Sequence, residues 1–342
     1  MITYNKDSLN FAVNTSKNGT DKSFNIALDP KTMRKNKINV TTHGHTDHTP
    51  RKVACTMILA SDITRKIIEH RLQKNFLSKE TFNNDHFKIS LKDAGHCLGS
   101  RMILIEERET GEKTLYTGDY NTINKYCGAA KPIKCDNLII DSTYGHPKYK
   151  FPSYLETSKK FLDYVRDNDK ERIAIVTYSF GKPQEICSML NSKKIPFSID
   201  HEISDINRKI NLRYQYQKDN ANVIVTKRKI PHYKNIAMTG FALSKSFKYV
   251  SKFDEAFPIS DHADYYDGLN FVKKCNPSNV YTLFKYKHTF ATEITKHLGI
   301  QSSPLSVGQR MLNNFSETPK KLATKEKDKK KEKVKKRKYG IY

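Results

Sequence analysis

Residues 42–49 read THGHTDHT, and this stretch decides the fold and the chemistry expected of the chain. It holds three histidines and an aspartate within six residues, and it follows residues 38–42 (INVTT), whose β-branched side chains predict a buried strand. Imidazole and carboxylate are the groups that zinc and manganese bind in proteins. The spacing therefore predicts a strand that delivers metal ligands, with a solvent-exposed, histidine-rich loop as the alternative.

The two halves of the stretch are expected to face different metal ions. In an extended loop the side chains of His43 and His45 share one direction, whereas Asp47 and His48 can turn to a second centre about 3.5–4 Å away. Two divalent metal ions are expected, zinc first and manganese or magnesium as alternatives. Asp29, which ends a predicted strand, is expected to hold a ligand histidine from behind, unless it belongs to an ordinary Asp-Pro turn.

Polar residues follow several later strands at the point where each strand ends. The sequence predicts strands over 87–91, 101–105, 114–117 and 137–140. The first leads to His96 in AGHCLGS, the third to Asp119 in YTGDYN and the last to Asp141 in IIDSTYG. Singly, such residues are ordinary turn, hairpin or cap residues. Because strand ends of an α/β protein meet at one rim, we expect them beside the metal loop. His262 in ISDHAD is expected there too, unless it is a structural histidine.

A second α/β unit is predicted over residues 151–257. Within it, a predicted strand leads into SFGKPQE (179–185), which opens a helix with proline in its first turn. The hydroxyl of Ser179, the backbone of Gly181 and the ammonium of Lys182 are expected to bind a phosphate at that helix end. An ordinary Gly-Pro turn before a helix is the alternative.

The charge of the chain favours a polyanionic partner. The 342 residues carry a formal net charge of +25, of which +9 lies in residues 320–338, where 12 Lys or Arg stand against three acidic residues. The rest of the chain is therefore basic as well, and nucleic acid is the commonest polyanion. A lysine-rich composition without a target is the alternative. The tail beyond residue 316 is predicted to be a disordered nucleic-acid arm, a nuclear-targeting signal or a solvated segment.

Cysteine usage and hydropathy indicate the compartment. The six cysteines are scattered without paired spacing, which predicts neither a disulfide framework nor a cysteine-type zinc site. The first 14 residues lack an apolar signal core, and no run of 18 apolar residues occurs. We therefore expect a soluble protein without a membrane partner, in the cytoplasm, or in the nucleus if the host is eukaryotic.

In this order, the motifs resemble those of the metallo-β-lactamase superfamily and, within it, the β-CASP nucleases. Asp29 matches the first motif, THGHTDHT the second, His96 the third and Asp119 the fourth, while Asp141 and His262 resemble β-CASP motifs A and B. The resemblance implies an αββα sandwich with an inserted small α/β cap domain. It implies that residues 1–150 and 258–316 form the metallo-β-lactamase domain. Residues 151–257 would form the cap, and residues 317–342 a disordered Lys-rich tail.

The resemblance also implies roles for the site residues. One metal would be bound by His43, His45, His96 and Asp119, and the other by Asp47, His48 and Asp119. Asp47, Asp141 and His262 would be catalytic, with His262 delivering a proton to the leaving group. The SFGKPQE stretch resembles the 5′-phosphate pocket of DNA-repair members. The chain departs from the RNA-processing members at their late histidine, where Phe284 aligns and His288 lies four residues farther on.

The function implied is that of a metal-dependent nuclease. Its substrate would be a DNA or RNA strand, with or without a 5′ phosphate, and its mode that of a 5′-end-directed exonuclease in DNA repair or RNA processing. Three alternatives stay open: an RNA endonuclease of the cleavage-factor type, a zinc hydrolase of small esters or thioesters, and an inactive relative that binds nucleic acid.

Overall fold

The computed structural model describes residues 2–4, 8–17, 20–243, 250–306 and 310–311. Strands form most of the framework of these residues. In chain order the strands are β1 (Ile2–Tyr4), β2 (Leu9–Lys17), β3 (Thr20–Leu28), β4 (Thr32–Met33), β5 (Ile38–Val40), β6 (Lys52–Val53), β7 (Met57–Leu59), β8 (Leu77–Lys79), β9 (Thr81–Asn83), β10 (Phe87–Asp93), β11 (Arg101–Glu107), β12 (Lys113–Tyr116), β13 (Asn137–Asp141), β14 (Ile173–Val176), β15 (Ser198–Ile199), β16 (Val223–Thr226), β17 (Lys234–Met238), β18 (Glu255–Phe257), β19 (Asn279–Leu283), β20 (Gln301–Pro304) and β21 (Arg310–Met311). The α-helices of the same residues are α1 (Asp62–Leu72), α2 (Tyr154–Asp167), α3 (Lys182–Ser192), α4 (His201–Lys209), α5 (Tyr265–Cys275) and α6 (Lys287–Leu298). The α/β class expected from the sequence is confirmed.

Two seven-stranded sheets share one apolar core. The first sheet has the strand order β21-β1-β2-β3-β5-β7-β8, and the second has the order β20-β19-β13-β12-β11-β10-β9. One cluster of buried side chains draws on both sheets, with Phe11, Ile26 and Val40 from the first and Ile103 and Ile139 from the second. The inner faces of the two sheets therefore pack against each other and remove their apolar side chains from water together.

Helices α5 and α6 cover the outer face of the second sheet. Phe271 of α5 and Phe290 of α6 form a separate buried cluster with Leu138 and Ile140 of β13. Successive side chains of a strand point to opposite faces, so Ile139 enters the core between the sheets while its two neighbours lie under the helices. Strand β13 is consequently buried on both faces, which explains its uninterrupted apolar run.

A third sheet consists only of parallel strands, in the order β15-β16-β14-β17-β18. Helices α2 and α3 pack on it, and Phe161, Ile175, Leu190 and Val225 belong to its own buried cluster. Parallel strands are joined by crossover connections, usually helices, and these helices cover the faces of the sheet. The sheet lies within the segment 151–257 that was predicted as a second unit, and the domain boundaries themselves stay a prediction.

Four strands of the second sheet end at the same rim. Strands β12, β13 and β19 are parallel neighbours, and β10 runs in their direction because both β10 and β12 are antiparallel to β11. Their ends therefore bring His96, Asp119, Asp141 and Phe284 to one edge, as a site of an α/β protein requires. The loop after β5 is tied to this edge by the backbone N–H of Arg101, which donates to the carbonyl O of Thr42 at 2.8 Å.

Several elements differ from the expectations. The N-terminal region contains the antiparallel pair β2 and β3, whose length of nine residues each the sequence did not predict. Helices α4 and α6 were not predicted; the threonines of α6 favour a helix weakly, and burial of its apolar side chains stabilises it. The predicted tail, 317–342, lies outside the described residues. No helix within the described ranges has the length and apolar character that crossing a bilayer requires.

Position 95, immediately before His96, requires glycine. Gly95 has a φ of +67°, and a Cβ atom there would lie 2.5 Å from the carbonyl O of Asn121, whereas Gly111 has a φ of +72° with nothing within 4 Å of such an atom. We expect Gly111→Ala to lower the free energy of unfolding by about 1 kcal/mol through backbone strain alone. Gly95→Ala should lower it by about 1–3 kcal/mol more, since backbone atoms must move. Equal losses in chemical denaturation would contradict this account.

Candidate active site

Four donor atoms from three chain segments converge at the rim of the second sheet. Nδ1 of His45 lies 3.0 Å from Nε2 of His43 and 3.1 Å from Nε2 of His96. Oδ2 of Asp119 lies 3.6 Å from the Nε2 atoms of both His43 and His96. The structure therefore brings together the four residues predicted to bind the first metal, within 4.8 Å of one another.

The outward partners of His45 and His96 fix which ring nitrogen carries the proton. Nε2 of His45 faces the carbonyl O of Phe180 at 3.1 Å, and Nδ1 of His96 faces the carbonyl O of Asp261 at 3.0 Å. A carbonyl oxygen can only accept, so each of these nitrogens donates its N–H. The inward nitrogens, 3.1 Å apart, consequently present two lone pairs to each other, an arrangement that a cation between them would stabilise.

His43 is oriented through Thr42 and Asp29. The Thr42 hydroxyl donates to the Asp29 carboxylate, at 3.0 Å from Oδ1 and 2.9 Å from Oδ2, so it accepts the N–H of His43 Nδ1 at 3.0 Å. The lone pair of His43 Nε2 therefore also points inward. Asp29 accepts a further hydrogen bond from Nδ1 of His48 at 2.8 Å. The carboxylate thus lies where the sequence predicted it, behind two ligand candidates.

The four donors are close enough together to hold one divalent ion. Ligands about 2.0–2.2 Å from such an ion lie roughly 3.3–3.6 Å apart, close to the separations between the donor atoms here. Burial and the neighbouring histidines lower the pKa values of His43 and His96 well below the ordinary value, and burial lowers the pKa of His45 to about 4. These imidazoles are therefore neutral at pH 7, which is the form that binds metal.

A second group of donors forms around His48. Its Nε2 lies 3.4 Å from Oδ1 of Asp119 and 3.8 Å from Oδ2 of Asp47. Burial alone would lower the pKa of His48, but the carboxylates of Asp119 and Asp29 outweigh it and raise the pKa to about 10. A metal here must displace that proton. The segment is a turn and not the extended loop expected, because the backbone N–H of His48 donates to the carbonyl O of His45, leaving Asp47 77% exposed.

Asp141 and His262 form an ion pair that faces the same centre. Nδ1 of His262 lies 2.7 Å from Oδ2 of Asp141, whose other oxygen accepts the N–H and hydroxyl of Thr143. Nε2 of His262 then points inward, 4.0 Å from Asp119. Burial lowers the pKa of His262, but Asp141 and Asp119 outweigh that effect and raise it to about 9. His262 is therefore protonated at neutral pH, as a proton donor requires.

Phe284, which the motif resemblance aligns with the late histidine of the RNA-processing members, follows directly after β19. It lines the site and packs edge-on against His48, with ring centroids 5.8 Å apart, and its φ of +75° is unusual for a bulky residue. His288 lies on the first turn of α6, is exposed, and is not among the residues that line the cavity. The described residues thus supply no late histidine to the second group of donors.

The predicted phosphate seat differs from the expectation. The backbone N–H of Gly181 donates to Oε1 of Gln184 at 2.7 Å, and the ammonium of Lys182 lies 2.5 Å from carboxylate oxygens of both Glu185 and Asp261. Both groups therefore have partners within the protein. For Lys182, these partners are acidic side chains that the sequence did not place beside it. Of the three predicted residues, only Ser179 is partly exposed at the cavity.

A cavity of about 1090 Å³ opens onto the site, and its wall includes functional candidates that the sequence did not reveal. Arg71 of α1 donates from Nη1 to the carbonyl O of Gly44, and Lys285 lies over the ring of Phe241 at 4.3 Å. Tyr178 is 79% exposed at the end of β14. Aromatic and basic residues directly after strand ends were the available signal for Tyr178 and Lys285, whereas no local pattern connects Arg71 with the metal loop.

Comparison with known proteins finds several related sequences. The chain is 28% identical over 285 residues to a probable DNA ligase of Opitutus terrae, covering 75% of this chain and 27% of the ligase. It is 23% identical over 273 residues to the 5′ exonuclease Apollo of Danio rerio, covering 69% of this chain and 46% of Apollo. The chain thus spans about a quarter of the first relative and under half of the second. No family model matches the chain.

The fold is also found in a solved structure. A crystal structure of a protein of unknown function from Enterococcus faecalis V583 aligns with a TM-score of 0.60 at 10% identity, covering 90% of this chain and 98% of that one. The chain is similar to β-CASP nucleases of the metallo-β-lactamase superfamily, among them Apollo and the DNA cross-link repair 1A protein, which confirms the resemblance read from its motifs.

The role of Asp29 can be tested by removing its charge. In Asp29→Asn an amide N–H₂ would face groups that already donate, so the inward orientation of His43 and His48 should be lost. We expect the metal concentration for half-occupancy to rise by about 10-fold or more. The exposed Asp93→Asn, also at a strand end, is the matched control. Metal titration with both variants checks this, and equal affinities for the two variants would contradict the role.

Proposed function

We propose that this chain is a metal-dependent nuclease that hydrolyses phosphodiester bonds of nucleic acid. The observation that supports this most directly is the set of inward lone pairs on His43, His45 and His96 beside Asp119, at the base of an open cavity. Two divalent metal ions, zinc by donor type, would when bound activate a water and neutralise phosphate oxygens. His43, His45, His96 and Asp119 would hold one ion, and Asp47, His48 and Asp119 the other.

In the proposed mechanism, the protein itself supplies the proton for the leaving oxygen. His262 carries that proton at neutral pH, and Asp141 holds the ring so that Nε2 faces the centre. Thr143 fixes Asp141 in turn through two hydrogen bonds, so the donor is held before substrate arrives. Such proton transfer typically contributes about 10²–10⁴ to the rate. Asp47, exposed at the cavity, is proposed as the outer ligand of the second metal.

The cavity favours a nucleic-acid strand over a small ester. Its wall combines cationic groups with aromatic rings, which suit a phosphate backbone and unstacked bases respectively. We infer that the two seven-stranded sheets and their helices form the metallo-β-lactamase sandwich, and that the third sheet belongs to the β-CASP cap over residues 151–257. The cap would then supply the rings of Tyr178 and Phe241 to the bound nucleic-acid strand. A metabolite hydrolase would not need such rings.

We further propose a 5′-end-directed exonuclease acting on DNA. Two relatives are named for DNA, the ligase and the DNA cross-link repair 1A protein, and Apollo is named a 5′ exonuclease. Phe284 in place of a late histidine also matches the DNA-repair pattern. The second candidate is an RNA endonuclease, favoured by the likeness to cleavage and polyadenylation specificity factor subunit 3 of Dictyostelium discoideum.

Nuclease assays with and without His262 test this proposal. Purified protein is incubated with end-labelled single-stranded DNA and RNA, with and without a 5′ phosphate, in the presence of zinc or manganese. We expect DNA to be shortened from its 5′ end, and His262→Ala to lower the rate by about 10²–10⁴ because no group then protonates the leaving oxygen. The exposed His297→Ala on α6 should behave as wild type.

Three results would overturn parts of the proposal. Internal cleavage of RNA, independent of the 5′ end, would replace the exonuclease assignment with the RNA endonuclease. A His262→Ala rate within about threefold of wild type would remove the proton-donor role. Absence of cleavage of any strand, with hydrolysis of small thioesters, would favour a metabolite hydrolase.

The exposed ring of Tyr178 is expected to stack on a base of the bound strand. Stacking on an aromatic side chain contributes about 1–3 kcal/mol per base, so Tyr178→Ala should lower kcat/KM for an oligonucleotide by about 10-fold. Hydrolysis of a small phosphodiester such as bis(p-nitrophenyl) phosphate, which has no base, should not change. Tyr266→Ala, exposed on α5 and not among the cavity-lining residues, is the control. Equal losses on both substrates would rule out stacking.

A further inference from the structure

A buried ion network lies between the start of α3 and the metal-ligand candidates. Nζ of Lys182 lies 2.5 Å from Oδ1 of Asp261 and 2.5 Å from Oε2 of Glu185. Nζ of Lys125 lies 3.4 Å from Oε1 of Glu185 and 3.7 Å from Oδ1 of Asp261. Two cations and two carboxylates therefore balance each other, and the nuclease mechanism uses none of the four.

The burial of these charges calls for an explanation. The side chains of Lys125, Lys182 and Glu185 are at most 6% exposed, and that of Asp261 is 13% exposed. A buried ion network gives little net stability compared with apolar side chains of the same volume, whereas loss of one partner is strongly destabilising. Stability alone therefore does not account for four buried charges. Their geometry points to a positional role.

The network ends on the main chain that holds the metal-site histidines. The carbonyl O of Asp261 accepts the Nδ1 proton of His96, and the next residue is His262. On the other side, the carbonyl O of Phe180, two residues before Lys182, accepts the Nε2 proton of His45. Lys125 also donates to the carbonyl O of Ser260. A shift of Asp261 would consequently rotate His96 and move His262 with it.

We propose that Lys182 is a positioning residue whose ammonium holds Asp261 in place, and thereby aligns His96 toward the metal and His262 toward the leaving group. The stretch that the sequence assigned to a substrate phosphate then supports the metal centre from behind. This inference rests on the proposed metal site. It gives Lys182 an effect on metal affinity and on kcat, and none on the preference for a 5′ phosphate.

Lys182→Met tests the inference because it keeps the length of the side chain and removes the charge. Metal titration of the full chain with Zn²⁺ against a chromogenic chelator should show half-occupancy at about 10-fold higher free metal than in wild type, since partners behind the ligands typically contribute 10–100-fold. Lys182→Arg, which keeps a cation beside Asp261, should restore most of the affinity. The exposed Lys159→Met on α2 is the matched control. Circular dichroism checks that each variant is folded.

The outcomes separate the two roles of Lys182. Wild-type metal affinity in Lys182→Met, with a lost preference for 5′-phosphorylated DNA, would overturn positioning in favour of phosphate binding. Reduced affinity with an unchanged ratio of rates on 5′-phosphorylated and 5′-hydroxyl DNA supports positioning. If Lys182→Met does not fold, Asp261→Asn decides by the same titration, because both lysines then keep Glu185 as a partner. The titration measures metal affinity and does not depend on cleavage. It therefore tests the positioning role even if the chain does not cleave nucleic acid.

Discussion

The carboxylate of Asp29 is the interaction on which the rest of the site depends. It accepts the backbone N–H and the hydroxyl of Thr42, the Nδ1 proton of His48 and the phenol of Tyr116. These donors come from both large sheets, because Tyr116 ends β12 while Thr42 follows β5. The same carboxylate therefore joins the two sheets at the rim and orients histidines of both donor groups. Its φ of 49° is tolerated because so many partners fix it.

One residue type serves in two charge states at this site. The histidines whose outward nitrogen meets a carbonyl or hydroxyl oxygen, His43, His45 and His96, are kept neutral by burial. Those whose outward nitrogen meets a carboxylate, His48 and His262, are protonated on both ring nitrogens and positively charged at neutral pH. The partner behind each ring thus separates ligands that are ready for metal from groups that exchange or deliver protons.

The sequence predicted which residues meet at the site better than the architecture around them. THGHTDHT and the polar ends of β10, β12 and β13 were enough to assemble the site, because strand direction fixes which rim their ends share. The length of the two N-terminal strands and helix α6 were not predicted, since tertiary burial stabilises them more than local propensity does. The phosphate seat differs from the expectation for a related reason: Asp261 and Glu185, which form ion pairs with Lys182, are brought to it only by the fold.

The ion network also bears on how residues 151–257 could be exchanged between relatives. Lys125 and Asp261 belong to the chain on either side of residues 151–257, and Lys182 and Glu185 belong to that segment. Residues 151–257 and the rest of the chain therefore each contribute one cation and one anion, and neither adds a net charge to the network. A chimera that takes the segment from another relative keeps this neutrality only if the donor sequence supplies an equivalent pair at the start of its helix. Electrostatic balance at four positions thus sets a rule for recombination that sequence similarity alone would not supply.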